Sequence, residues 1–136
     1  MQYYQTKAGK IPGTDFREVN GKAMEIFDVI KNRSKRKPHI RSAYFRKQKV
    51  FLDFFWNHIH TNKNPRDRLR RLKYFEAALE LIRESRLSPE SKENPNKSGE
   101  ILHRFAGKTK EGDVFMVQIK EFKKNSQKYF ISVFPI

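Results

Sequence analysis

Three apolar runs of strand length near the C-terminus carry His103, Gln118, Lys120 and Ser132, residue types that could move protons and hold a phosphate. Cleavage of a phosphodiester by its own neighbouring 2′-hydroxyl needs a base for that proton, an acid for the leaving 5′-oxygen and cations for the pentacoordinate phosphate. His103 is the natural proton carrier, because an unperturbed imidazole titrates near neutrality. Lys120, Lys108 or Arg104 could neutralise the phosphate, although Arg104 should face away from His103 in a regular strand. Ser132 and Gln118 would orient the phosphate or the hydroxyl. Other chemistries find little footing. The chain has no cysteine, which removes disulfides, thiolate catalysis and Cys-based zinc sites. His58 and His60 are two apart on an expected helix and so point in different directions, and no acidic cluster completes a metal site. No Gly-rich phosphate loop, paired-carboxylate set or Ser-His-Asp arrangement is present, and no cofactor is called for.

The charge points the same way. Thirty Lys plus Arg against fifteen Asp plus Glu give +15 over 136 residues, a surplus that repels itself in the compact state and attracts polyanions. It is concentrated in residues 1–50, where Arg33, Lys35, Arg36, Lys37 and Arg41 form a run interrupted by Pro38, followed by Arg46 and Lys49. Such a run is either a solvated linker or a phosphate-binding segment. RNA is the expected partner, with DNA as the alternative. No apolar stretch reaches membrane-spanning length and the N-terminus lacks the apolar centre of a signal peptide, so a cytoplasmic protein without a membrane partner is expected.

The elements that must position these residues read as helices first and strands second. Residues 1–20 contain Gly9, Pro12 and Gly13 without a sustained period and read as an irregular arm. A helix over 22–31 would align Met24, Phe27 and Ile30, and a longer one over 42–60 would bury Tyr44, Val50, Phe51, Phe54, Phe55, Trp56 and Ile59. Asn64-Pro65-Arg66-Asp67 has the composition of a helix start, opening a third helix that runs to about Arg86 and pairs with the second as a hairpin. Residues 87–99 read as an exposed connector. Residues 101–108, 114–122 and 128–134 then alternate as strands. The expectation is one α+β domain over 1–136, with a helical part (22–86) packed on a C-terminal antiparallel meander of three to four strands (100–136).

Alternation assigns faces. Phe115, Val117, Ile119 and Glu121 should meet the helices, as should Tyr129, Ile131 and Val133, leaving Met116, Gln118, Lys120, Phe130, Ser132 and Phe134 on a second face. The first strand is ambiguous. Placing His103 on that second face gives a mixed polar and aromatic surface suited to RNA; the bland alternative is a second small core beneath the N-terminal arm.

In the order of its elements, and in Ile101-Leu-His-Arg-Phe-Ala-Gly-Lys-Thr109, Val114-Phe-Met-Val-Gln-Ile-Lys120 and Lys128-Tyr-Phe-Ile-Ser-Val-Phe-Pro135, the chain resembles the small ribonucleases of the barnase, EndoU, colicin and RelE type, including relatives from phages and mobile elements. The likeness covers roughly residues 42–136. It implies a metal-independent, toxin-like endoribonuclease with His103 and Ser132 at the active site, and an acidic antitoxin or immunity protein as inhibitor. A non-enzymatic basic RNA- or DNA-binding module is the alternative.

Overall fold

A computed structural model describes residues 2–136. Among these described residues, four helices and seven strands form one α+β unit whose mixed sheet curves as a half-barrel. In chain order they are β1 (Tyr4–Gln5), α1 (Phe16–Arg33), β2 (His39–Ser42), β3 (Gln48–Phe51), α2 (Asp53–Thr61), α3 (Pro65–Leu72), α4 (Phe75–Glu84), β4 (Glu90–Glu93), β5 (Glu100–Lys108), β6 (Val114–Phe122) and β7 (Lys128–Pro135). The sheet runs β1-β5-β6-β7-β3-β2, with β4 pairing on β5. The expected C-terminal meander is its middle, but the expected fold of helices on a three- to four-stranded antiparallel sheet is wrong. Strands from the N-terminal half flank the meander on both sides, and β1 with β5 and β3 with β7 pair in parallel.

Each departure has a local cause. Helix α1 begins six residues earlier than its apolar spacing suggests, because the Asp15 carboxylate accepts a hydrogen bond from the Glu18 amide at 2.9 Å and caps it. It buries Val19, Ala23, Phe27 and Ile30, while Met24 is exposed. The helix expected over 42–60 is a hairpin followed by a helix. Ser42 holds the turn by accepting from the Lys47 and Phe45 amides, and Arg46 and Lys47 adopt φ of 56° and 66°, left-handed values that no helix interior permits. The third helix starts where expected, with Asn64 accepting from the Asp67 amide at 3.2 Å, but it breaks at Lys73. There the N-terminal arm intervenes: the Ile11 amide bonds the Lys73 carbonyl at 2.8 Å and the Lys73 ammonium bonds the Gly13 carbonyl. The arm is itself pinned by Glu80, whose carboxylate accepts from the Lys7 and Ala8 amides.

The core lies between the helices and the concave face of the sheet. Phe55 stacks on Phe130 with ring centroids 4.4 Å apart and on Phe75 at 5.6 Å, and Phe27 stacks on Trp56 at 4.3 Å. Within the core the chain approaches closely at Gly107, where a Cβ would come within 2.5 Å of Phe115 and 2.7 Å of Leu81.

Parity along β7 differs from expectation. Ser132 pairs with Gln118 but Phe130 pairs with Ile119, so Ile131 is an extra residue, a β-bulge, and alternation restarts across it. Phe130 therefore joins Val133 in the core, whereas Tyr129 turns to the convex face. Nothing in strict alternation would indicate this.

Candidate nucleic-acid interface

Register across the sheet sorts the candidate residues onto two faces. His39, Phe51, Tyr129, Lys120 and Leu102 form one row on the convex face, running through β2, β3, β7, β6 and β5. Ser132, Gln118 and Arg104 form the next row. His103 pairs with Ile119 and lies on the concave face, so the structure does not bring it together with Gln118, Lys120 and Ser132.

On its own face His103 is fully engaged. It is 8% exposed, with Nδ1 2.6 Å from the Ser91 hydroxyl, Nε2 2.7 Å from Glu121 Oε1 and the Phe45 ring edge-on at 5.0 Å. The second Glu121 oxygen lies 3.7 Å from the buried Lys128 ammonium, which donates to Gln48 at 2.6 Å and sits 4.9 Å from the Phe45 ring centroid. This Ser91-His103-Glu121-Lys128-Gln48 chain ties β4, β5, β6, β7 and β3 together. Buried charges are tolerated when paired and hydrogen-bonded, and here each one is.

The convex face is different. Ser34 ends α1 by bonding the Ile30 carbonyl at 2.9 Å and accepts from the His39 amide at 3.2 Å, which draws the basic connector against the start of β2. The result is a groove of about 710 Å³ walled by Arg33, Lys35, Arg36, Lys37, Arg41 and Lys49, with His39, Phe51 and Tyr129 also lining it and no carboxylate. Arg41 donates to the Lys47 carbonyl, and none of the six cations enters an ion pair among the described residues. Arg33 also acts on its surroundings: burial first, and then the Arg33 charge, hold the Arg83 guanidinium below its ordinary value.

A second cavity of about 500 Å³ adjoins this aromatic row, lined by Phe54, Asn57, His58, Thr61, Lys120, Ile131 and Ser132. The two share a wall, because Phe54 of the second stacks on Tyr129 of the first with centroids 4.3 Å apart. Lys120 lies 5.4 Å from the Phe54 centroid and 5.6 Å from that of Phe122, and its charge is partly met by buried Glu100 at 3.7 Å. Ser132 accepts from Arg71 at 2.8 Å, and Arg71 is in turn held by Asp67 at 2.9 Å. Burial pushes the Asp67 carboxyl up, but hydrogen bonds from Asn62, Arg70 and Arg71 together with the Arg71 charge bring it below its ordinary 3.8. The spacing of His58 and His60 is resolved by this geometry. His60 turns inward and bonds Asn20 at 2.8 Å and the Trp56 carbonyl at 2.7 Å, whereas His58 is exposed and faces the cavity.

Of the other candidates, Arg104 donates to Gln118 at 3.2 Å across the strands, Lys108 lies at the far end of β5, and Arg46 lies in the β2–β3 turn outside the groove. Sequence reasoning missed His58 as a member of the site, Glu121 as the partner of His103, and the aromatic wall. The signal for His58 was its two-residue offset from a core-facing imidazole. Among the described residues, no cluster of three or more His, Asp or Glu side chains could hold a metal ion, and no helix is long and apolar enough to cross a membrane.

Compared with protein-family models, curated proteins and solved structures, the chain has no significant match.

Proposed function

We propose that this protein binds RNA along the convex face of its sheet and cleaves it as an endoribonuclease by attack of the 2′-hydroxyl, a reaction that needs no metal. The observation that carries the reading is the acid-free groove of six cations, joined through one aromatic wall to a cavity holding an exposed imidazole, an ammonium and a hydroxyl. The groove supplies the long-range attraction and holds flanking phosphates. In the cavity His58 takes the 2′-hydroxyl proton while Lys120 and the Arg71-supported Ser132 stabilise the five-coordinate phosphate. The bond from phosphorus to the 5′-oxygen breaks, that oxygen takes a proton from Lys120 or solvent, and the products are a 2′,3′-cyclic phosphate and a 5′-hydroxyl. His103 has no direct part in this reading; it has neither free nitrogen nor the right face.

The test is RNA cleavage in the presence of a chelator, with end-group analysis. Cyclic phosphate ends that disappear in His58→Ala and persist in a folded His103 variant support the assignment. The reverse pattern would return catalysis to the concave face. The groove alone favours a second reading, a non-enzymatic RNA- or DNA-binding module, which stands if RNA is bound in a salt-dependent way and left intact. The positive face would likewise attract an acidic antitoxin or immunity protein, with which RNA would compete.

A further inference from the structure

The wall between the two cavities has chemistry of its own. Phe54 is 37% exposed, uncommon for a ring so close to a filled core, and it stands on the first turn of α2 where the chain leaves β3. Its neighbour Phe55 points the other way and is 2% exposed. Phe54 and Tyr129 are nearly parallel, 15° apart, and form a two-ring stack, with the Lys120 ammonium over the Phe54 ring 5.4 Å from its centroid. Cations border both sides: the six of the groove on one, and on the other Lys120, whose charge Glu100 partly meets.

We infer that Phe54 is a stacking platform for one unpaired nucleobase, and that the protein therefore takes single-stranded rather than duplex polynucleotide, with phosphates in the groove and the base against Phe54. This rests on the nucleic-acid reading proposed above and adds the class of strand and its register. Phosphate contacts carry no information about strandedness, since both forms present them. A ring that needs a free base face does, because paired bases expose only their edges. The occupant follows from charge complementarity to the groove and from the flat shape of the wall; an acidic peptide would satisfy the first but not the second.

The experiment is fluorescence anisotropy with a labelled 12-nucleotide 2′-O-methyl RNA, which cannot supply the attacking hydroxyl, so that binding is read apart from cleavage. Its duplex and an abasic strand of equal length serve as comparators. In Phe54→Ala the affinity for the single strand falls about tenfold. The slope of log K against log salt and the weaker affinities for duplex and abasic strand stay unchanged. Phe54→Trp restores tight binding, and matching thermal melts show that the variants fold; should Phe54→Ala not fold, Phe54→Leu carries the same comparison. Equal loss on single strand and duplex, or no loss on either, overturns the platform while leaving nucleic-acid binding intact. Absence of binding to all three probes overturns both.

Discussion

The two faces of the sheet hold nearly the same kinds of side chain and put them to opposite uses. On the concave face an imidazole, a carboxylate and an ammonium satisfy one another within 2.7–3.7 Å, under Phe45 and away from solvent. Across the sheet, His58 is exposed and the groove cations lack any acidic partner among the described residues. A buried network gains by closing on itself, since an unmatched charge there costs several kcal/mol. An open cationic surface does the reverse: its self-repulsion is relieved when a polyanion arrives. Residue type alone therefore says little about role. Which partners are already taken says more.

Four measurements would break or sharpen this contrast. The largest effect expected is in catalysis: His58→Ala lowers the rate of RNA cleavage about 10³-fold with an unchanged melting temperature. A rate that survives would remove the convex face from the chemistry. Next comes stability on the other side, where Glu121→Ala strands Lys128 and His103 and costs about 3 kcal/mol in denaturant unfolding, with RNA affinity of the folded protein unaltered. The third is the triple replacement of Lys35, Arg36 and Lys37 by Ala. It weakens single-stranded RNA binding about a hundredfold at moderate salt and lowers the salt slope by about 2. Its stability should match or exceed that of the parent protein.

The smallest effect concerns Asp67, which braces Arg71 against Ser132. Its folded carboxyl sits below the ordinary 3.8, so it contributes stability fully above that value and loses it as the pH falls through the depressed one. Asp67→Asn should accordingly melt a few degrees lower at pH 7, with the gap closing as the pH falls below the carboxyl's ordinary 3.8. A gap independent of pH would show that the bracing is not electrostatic.

How much of this was legible in the sequence varies with the range of the forces involved. The helix start at Pro65 and the long strands β5, β6 and β7 depend on nearest neighbours and local alternation, and they were readable. So was the collection of cations between Arg33 and Lys49, although not that they would wall a single groove. The segment 42–60 misled, because the apolar residues of a turn, one four-residue strand and a helix happen to share helical spacing, and only the left-handed residues Arg46 and Lys47 break it. Strands β1 and β3 acquire their identity from β5 and β7, many residues away, and a local pattern cannot carry that. The position of His103 failed for the same reason. Its face is decided by its register with Ile119 and its role by Glu121 and Ser91 on two other strands.

Ile131 hides the regularity of the sheet from the sequence. Because one unpaired residue separates the two halves of β7, the strand is written in two phases: Ser132 and Phe134 are on the convex face in one, Tyr129 in the other. Deleting Ile131 would set the pairs Phe130–Ile119 and Ser132–Gln118 side by side as in an unbroken ladder, and every other side chain would keep the face it now holds. What would go is the local kink and one aliphatic wall of the cavity that holds His58, Lys120 and Ser132. The bulge thus shapes the candidate site locally, while the two faces stay in step without it.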